Sequence, residues 1–181
     1  MITLLRQRRS VAALEFALLA PTFVMAFAGV ADIGFALYRW SELEQSLALG
    51  SNYALMNKTK VNSSNGQTLA DNIATMVATS NSDMTASSTV IVNNGPTATV
   101  TNAGTPANSG TASNANSYYC LIGSPASWTW GTGYSSNTQS CSGGTQAGQF
   151  VTLTVSYTYT PFFNYGFING AMTDGAVVQV N

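Results

Sequence analysis

The feature that most constrains this chain is a long apolar run over residues 11–38, VAALEFALLAPTFVMAFAGVADIGFALY. The run contains two charged side chains, Glu15 and Asp32, and one proline, Pro21. As an α-helix with a rise of about 1.5 Å per residue it would be about 42 Å long, more than the ~30 Å hydrocarbon core of a bilayer. The run therefore predicts a membrane-spanning helix, kinked near Pro21.

The positions of the basic residues predict the orientation of that helix. Three arginines directly precede the apolar run, and no Lys or Arg follows Lys60. This asymmetry is typical of a single-pass protein whose N-terminus stays in the cytoplasm. We expect residues 1–10 to be a cytoplasmic leader, residues 11–57 a transmembrane and stalk helix, and residues 58–181 an extracytoplasmic head. The six basic residues are Arg6, Arg8, Arg9, Arg39, Lys58 and Lys60.

The rest of the composition argues against several classes of function. Only 7% of the residues are charged, the net charge is −1, and histidine is absent from the sequence. Such a chain offers no basic surface for nucleic acid and few groups for acid–base chemistry or metal coordination. We therefore expect no enzyme activity, no catalytic residues, no cofactor, no metal site and no nucleic-acid partner.

The cysteine pair is the one covalent feature that the sequence suggests. Cys120 and Cys141 both lie in the region expected to be exported, and their spacing does not match a CxxC motif. They predict a disulfide, with two free buried thiols as the alternative. Closing a loop of roughly twenty residues would stabilise the head by about 3 kcal/mol in the chain-entropy model.

The charged residues of the apolar run need an explanation, because an ionisable group at the edge of a membrane segment is costly. If the leader were cut after Ser10, the new amine of Val11 would lie four residues before Glu15 and could pair with it. The alternative is that Glu15 reaches the lipid headgroups near Arg8 and Arg9. Asp32 is expected to be a solvated residue just beyond the bilayer.

Residues 8–55, RRSVAALEFALLAPTFVMAFAGVADIGFALYRWSELEQSLALGSNYAL, resemble the TadE-like family of minor pseudopilins of the tight-adherence (Tad/Flp) pilus system. In that family a small residue precedes four apolar residues, Glu, an aromatic residue and a Pro-interrupted apolar stretch. These positions are Ser10, residues 11–14, Glu15, Phe16 and Pro21 in this sequence. The closing residues, VTLTVSYTYTPFFNYGFINGAMTDGAVVQVN, are also similar to the last strands of that family, and the middle of the chain is unmatched.

The resemblance implies processing by a prepilin peptidase, with cleavage between Ser10 and Val11 and with Glu15 and Phe16 as the recognised mature residues. Ser10 departs from the family pattern, which more often has Gly there. The implied partners are other pilins or pseudopilins and the inner-membrane pilus assembly machinery. The implied location is the bacterial inner membrane, with the head in the periplasm or incorporated in an extracellular pilus.

The expected fold class is α+β and pilin-like, with an antiparallel β-rich head packed on helix. The stalk should place Leu43, Leu47, Tyr53 and Ala54 on one face, with Glu42, Glu44 and Gln45 elsewhere. A second helix over residues 67–79 should bury Leu69, Ile73, Met76 and Val77. Period-two alternation predicts a hairpin from residues 85–92 and 97–101, a strand over 150–160 with one buried face, and a last strand over 176–180.

Two polar segments of the head are harder to assign. Residues 101–117 are rich in Ser, Thr, Asn, Gly and Ala, which predicts a mobile surface loop. The loop between the cysteines contains Trp128, Trp130 and Tyr134, which are candidates for binding a carbohydrate or another subunit. The alternative is that these aromatic side chains pack under their own disulfide loop.

Three other functions are compatible with the sequence. The chain could be a structural pilin that forms the body of a filament, or a signal-anchored binding module with no role in assembly. Secretory cleavage after Ala28 would instead release a soluble head, because Ala26-Phe27-Ala28 follows an apolar run.

Overall fold

The computed structural model describes residues 2–124, 127–142, 144–163 and 170–181, and the side chains of residues 13–123, 127–142, 144–163 and 170–181. It confirms the α+β class, with a long apolar N-terminal helix followed by an antiparallel β-sheet head. The chain divides into two compact units. The first contains Met1–Arg39 and Tyr159–Asn169, and the second contains Trp40–Thr158 and Gly170–Asn181.

Helix α1 spans Ile2–Met56, and Pro21 lies inside it. The predicted continuation of the apolar run into a stalk is therefore confirmed. The part Ala13–Met56 is long and apolar enough to cross a membrane, with a mean hydropathy of 1.9 in its most apolar window. The boundary between leader and membrane helix, and the boundaries of the head, stay predictions.

The second unit is built on a five-stranded antiparallel sheet with the strand order β3-β2-β1-β6-β7. The strands are β1 (Ser87–Val92), β2 (Thr97–Val100), β3 (Ala107–Ser109), β6 (Phe150–Tyr159, whose last residue belongs to the first unit) and β7 (Gly170–Gln179). A separate two-stranded sheet pairs β4 (Leu121–Ser124) with β5 (Ser127–Trp130). The predicted hairpin and main strand are confirmed, whereas the last strand begins at Gly170 and is longer than predicted.

The core of the head lies between this sheet and two helical segments. Helix α2 (Gly66–Thr79) buries Leu69, Ile73 and Val77, as its apolar periodicity predicts, while Met76 is only half-buried. α2 packs on β1 and β2, and the Ser88 hydroxyl donates to the Ala74 carbonyl at 2.7 Å. The apolar alternation of β6 is confirmed, although Thr152, opposite Ile91 on β1, is buried as well.

The stalk half of α1 packs into the same core. Leu43, Leu47 and Ala54 are buried, and an added Cβ at Gly50 would lie 2.6 Å from both Leu153 Cδ2 and Val77 Cγ2. Helix and sheet therefore approach closely at this glycine. The expectation that Glu42 lies off the buried face is wrong, because the residue is only 8% exposed. The buried face is wide enough to include the position before Leu43, since it also takes in Ser46 before Leu47.

Residues 101–117 lie mostly at the surface, as predicted, but they contain regular structure and are not an irregular loop. β3 extends the sheet there, and a 3-10 helix over Ala112–Asn116 buries Ala115 completely. Side-chain amides hold the segment: Asn114 Nδ2 donates to the Asn94 carbonyl at 2.9 Å, and Asn116 Oδ1 accepts from the Ser63 amide at 2.9 Å.

Asn93, in the β1–β2 turn, is the centre of these polar contacts. It is fully buried at φ 52°, and its backbone amide donates to the Phe150 carbonyl at 2.7 Å. Its Nδ2 donates to the carbonyls of Ala115 at 2.9 Å and Ser117 at 2.6 Å, and its Oδ1 accepts from the Phe150 amide at 3.2 Å. Hydrogen bonds, more than apolar burial, therefore fix the structure of the β1–β2 turn and of residues 101–117.

Candidate functional site

The first half of α1 presents a large exposed apolar surface. The side chains of Leu18 and Phe27 are exposed at 71% and 73%, and most large apolar residues of this half are exposed as well. An exposed apolar surface of this extent is typical of contact with lipid or with other helices. The other exposed side chains of this kind are Leu14, Phe16, Leu19, Phe23, Val24, Met25, Val30, Ile33, Phe35 and Leu37.

Glu15 is exposed on this surface, between the apolar side chains of Leu14 and Phe16. A carboxylate in such surroundings requires a partner or access to water. Ser10 and Val11 belong to the helical backbone, but their side chains lie outside the described residues. The processing role of Ser10, Val11, Glu15 and Phe16 therefore stays a prediction.

Asp32 is buried, with only 3% of its surface exposed, so the expectation of a solvated residue is wrong. Its Oδ1 accepts a hydrogen bond from the Phe162 amide at 2.9 Å, and its Oδ2 accepts one from the Phe163 amide at 3.0 Å. The Tyr159 hydroxyl donates to the Asp32 backbone carbonyl at 3.1 Å. The carboxylate is therefore satisfied by consecutive backbone amides in place of water.

The residues around this carboxylate are small on α1 and aromatic on the loop after β6, whose described residues are 161–163. Ala28 and Ala36, one turn before and after Asp32, are buried with it. The rings of Phe35 and Phe162 pack with their centroids 5.2 Å apart. Outward, Phe162 remains 74% exposed and Phe163 is also exposed. The loop thus covers a polar group on α1 while it displays apolar rings on its own outer side.

The disulfide between Cys120 and Cys141 is present, with their Cα atoms 5.5 Å apart. The aromatic residues Trp128, Trp130 and Tyr134, between the two cysteines, are half-buried. Trp130 packs edge-on against Tyr119 with ring centroids 5.5 Å apart, and Tyr134 exchanges two 2.8 Å backbone hydrogen bonds with Tyr118. Trp128 lies on the same face of β5 as Trp130, and its buried Nε1 has no hydrogen-bond partner within the described part of the chain. The contact of Trp130 favours packing at the disulfide loop, and a binding role for Trp128, Trp130 and Tyr134 stays a prediction.

Two of the residues that organise the molecule were not predicted as such. Asp32 and Asn93 bind groups between 22 and 131 positions away along the chain. A local pattern does not contain that information, and the only signal for Asp32 was a charge inside an apolar run. Among the described side chains, no group of three or more His, Cys, Asp or Glu residues could hold a metal ion.

Comparison with known proteins bears on the N-terminal half of this arrangement. Residues 11–50 match the family described as TadE-like protein. The match covers the exposed apolar half of α1, with Glu15 and Asp32, and continues to Gly50 at the core of the head. It confirms the resemblance over that segment and associates the segment with pilus components. Neither the curated proteins nor the solved structures contain a match to the chain.

Proposed function

We propose that this protein is a minor pseudopilin of a Tad/Flp-type pilus, anchored in the bacterial inner membrane and active in pilus assembly, adhesion or secretion. The observation that carries the proposal is the coincidence of the TadE-like match over residues 11–50 with a helix whose first half exposes most of its large apolar side chains. Such a helix can be held by lipid before assembly and by other pilin helices afterwards.

The proposed orientation places the N-terminus in the cytoplasm and the head in the periplasm. Arg6, Arg8 and Arg9 precede the membrane helix, and the head carries no basic residue beyond Lys60. The disulfide of the head supports this orientation, because such bonds persist in the periplasm and are rare in the cytoplasm.

Glu15 supplies the proposed link to assembly. Cleavage by a prepilin peptidase between Ser10 and Val11 would create an ammonium group four residues before Glu15. That group would pair with the carboxylate within the chain or on a neighbouring pilin, and each pairing reduces the cost of the charge at the membrane edge.

N-terminal sequencing of the protein from pilus-forming cells tests the proposal. A mature start at Val11 is the expected result. A start at Gly29 would show secretory cleavage and a released head, and a start at Met1 would show an uncut anchor. Either of these results would overturn the proposed processing.

Substitution of Glu15 by Gln tests the assembly step separately. The Glu15→Gln protein should still insert in the membrane but should no longer support filaments. Glu44→Gln is the matched control, because Glu44 is an exposed acid on the same helix that accepts a hydrogen bond from Trp40. The amount of protein in sheared pili then separates a scarce minor subunit from the abundant subunit of a filament body.

A further inference from the structure

We propose that the loop residues Pro161, Phe162 and Phe163, which follow β6, insert beside α1 into the leaflet at the C-terminal end of its membrane span. The occupant of its exposed aromatic surface is lipid. The inference rests on the proposed function only in its requirement that α1 spans a membrane, and it adds a second membrane-contacting element to the protein.

The position of the membrane along α1 sets the depth of this loop. At about 1.5 Å per residue, a hydrocarbon core of about 30 Å that begins at Phe16 ends close to Phe35. Asp32 is three positions before Phe35, so its carboxylate lies inside that limit by about 5 Å. Tyr38 and Arg39 follow at the level where aromatic and basic side chains meet the headgroups, and the Arg39 guanidinium lies 5.8 Å from the centre of the Tyr38 ring.

The hydrogen bonds of Asp32 bring the loop to this depth. An unpaired carboxylate inside the apolar limit is costly, and so are unpaired backbone amides. The bonds from the amides of Phe162 and Phe163 to the two carboxylate oxygens, 2.9 and 3.0 Å long, remove both costs together. The two loop amides therefore provide hydrogen bonds for the carboxylate of α1, and the carboxylate provides acceptors for both amides.

The side chains of the loop fit lipid rather than water. The Phe162 ring lies tilted against the Phe35 ring, and 74% of the surface of Phe162 remains exposed. Phe35 and Tyr38, which lie about one turn apart on the same face of α1, are also exposed. A group of apolar side chains at the same height as the helix's own lipid-facing residues has lipid as its natural neighbour.

A nitroxide label on single cysteines tests the inference in the full chain, reconstituted in phosphatidylethanolamine–phosphatidylglycerol vesicles. Cys120 and Cys141 are bonded to each other, so an introduced cysteine is the one free thiol. Phe162→Cys is the probe, and Pro161→Cys is a second probe that keeps both phenylalanines. Leu18→Cys is the lipid reference and Thr138→Cys, exposed in the head, is the aqueous reference.

The expected result is that both loop labels collide with oxygen and are protected from a water-soluble nickel chelate, as the Leu18 label is. Collision with the nickel chelate to the extent of the Thr138 label would overturn the inference. Protection from both reagents would also overturn it, because it would show a protein neighbour in place of lipid. An aqueous Leu18 label would refute the membrane-spanning premise, whereas loss of filaments with a lipid-exposed loop label would concern the proposed function alone.

Asp32→Asn in the Pro161→Cys background tests the cause of the insertion. The amide supplies one carbonyl oxygen where two backbone N–H groups need acceptors, so the loop label should shift towards the nickel-accessible class. An unchanged collision pattern would show that the carboxylate does not hold the loop in the bilayer.

Discussion

The two halves of α1 share the same secondary structure and both carry leucines, but they place these apolar side chains in opposite environments. In the first half Leu18 is 71% exposed, whereas in the second half Leu43 is fully buried in the core of the head. Helix formation therefore does not distinguish them. The second half packs into the apolar core of its own unit, whereas most large apolar side chains of the first half stay exposed. An apolar residue stabilises the folded head in one half and is available to lipid or to other helices in the other.

The largest expected difference between the halves is the effect of removing a leucine. Leu43→Ala should lower the free energy of unfolding of the head by about 4 kcal/mol, because it leaves a cavity in a closed core. Leu18→Ala should leave it unchanged. Denaturant unfolding in detergent micelles measures both, and equal losses would contradict the division of α1 into two environments.

Removal of the disulfide should affect the head alone. The double substitution Cys120→Ser and Cys141→Ser removes a disulfide between residues 21 positions apart. In the chain-entropy model it should lower the free energy of unfolding of the head by about 3 kcal/mol. Insertion of α1 should not change, which alkaline extraction of membranes can measure. Loss of insertion in this variant would show that the head and the membrane helix depend on each other.

A pair of glycines sharpens the comparison at the level of packing. Gly50→Leu should destabilise the head by about 2 kcal/mol, because its Cβ would meet Leu153 and Val77 at 2.6 Å. Gly34→Leu should be tolerated, since an added Cβ has nothing within 4 Å there. Thermal unfolding of both variants provides the test, and tolerance of Gly50→Leu would mean that the helix and sheet are not closely packed.

The smallest effect is expected at the hydroxyl that contacts the backbone of Asp32. Tyr159→Phe removes the hydrogen bond from the hydroxyl to the Asp32 carbonyl, and it should lower the free energy of unfolding by about 1 kcal/mol. Tyr157→Phe is the control, because the Tyr157 hydroxyl has no hydrogen bond within the described part of the chain. If chemical denaturation shows the same loss for both tyrosines, the Tyr159 contact contributes nothing specific.

Regular periodicity made much of the fold predictable. The continuation of α1 into the stalk, the apolar face of α2, the β1–β2 hairpin and the alternation of β6 all follow from the spacing of apolar residues, although α1 begins at Ile2, nine positions before the predicted start. The disulfide followed from there being two cysteines in the expected exported region. These features depend on local patterns or on a choice between few alternatives.

The errors concern polar side chains whose partners are distant in sequence. The Asn-rich segment was expected to be mobile because composition measures apolar burial and does not register amide hydrogen bonds such as that of Asn116 to Ser63. Asp32 was expected to meet water because its true partners, Phe162 and Phe163, lie on another element. The prediction of a processing site rests on the resemblance to a family. Glu15 alone would not support it, because a single acidic residue near one end of an apolar segment is common.

The buried side chain of Asn93 has a consequence for the order in which the head folds. The β1–β2 hairpin contains local pairings and can form early, but the Asn93 amide needs Ala115, Ser117 and Phe150, up to 57 positions later. Until those residues are in place, the turn holds a polar group that only water can satisfy. We therefore expect the head to reach its final structure in a late, concerted step of folding rather than gradually.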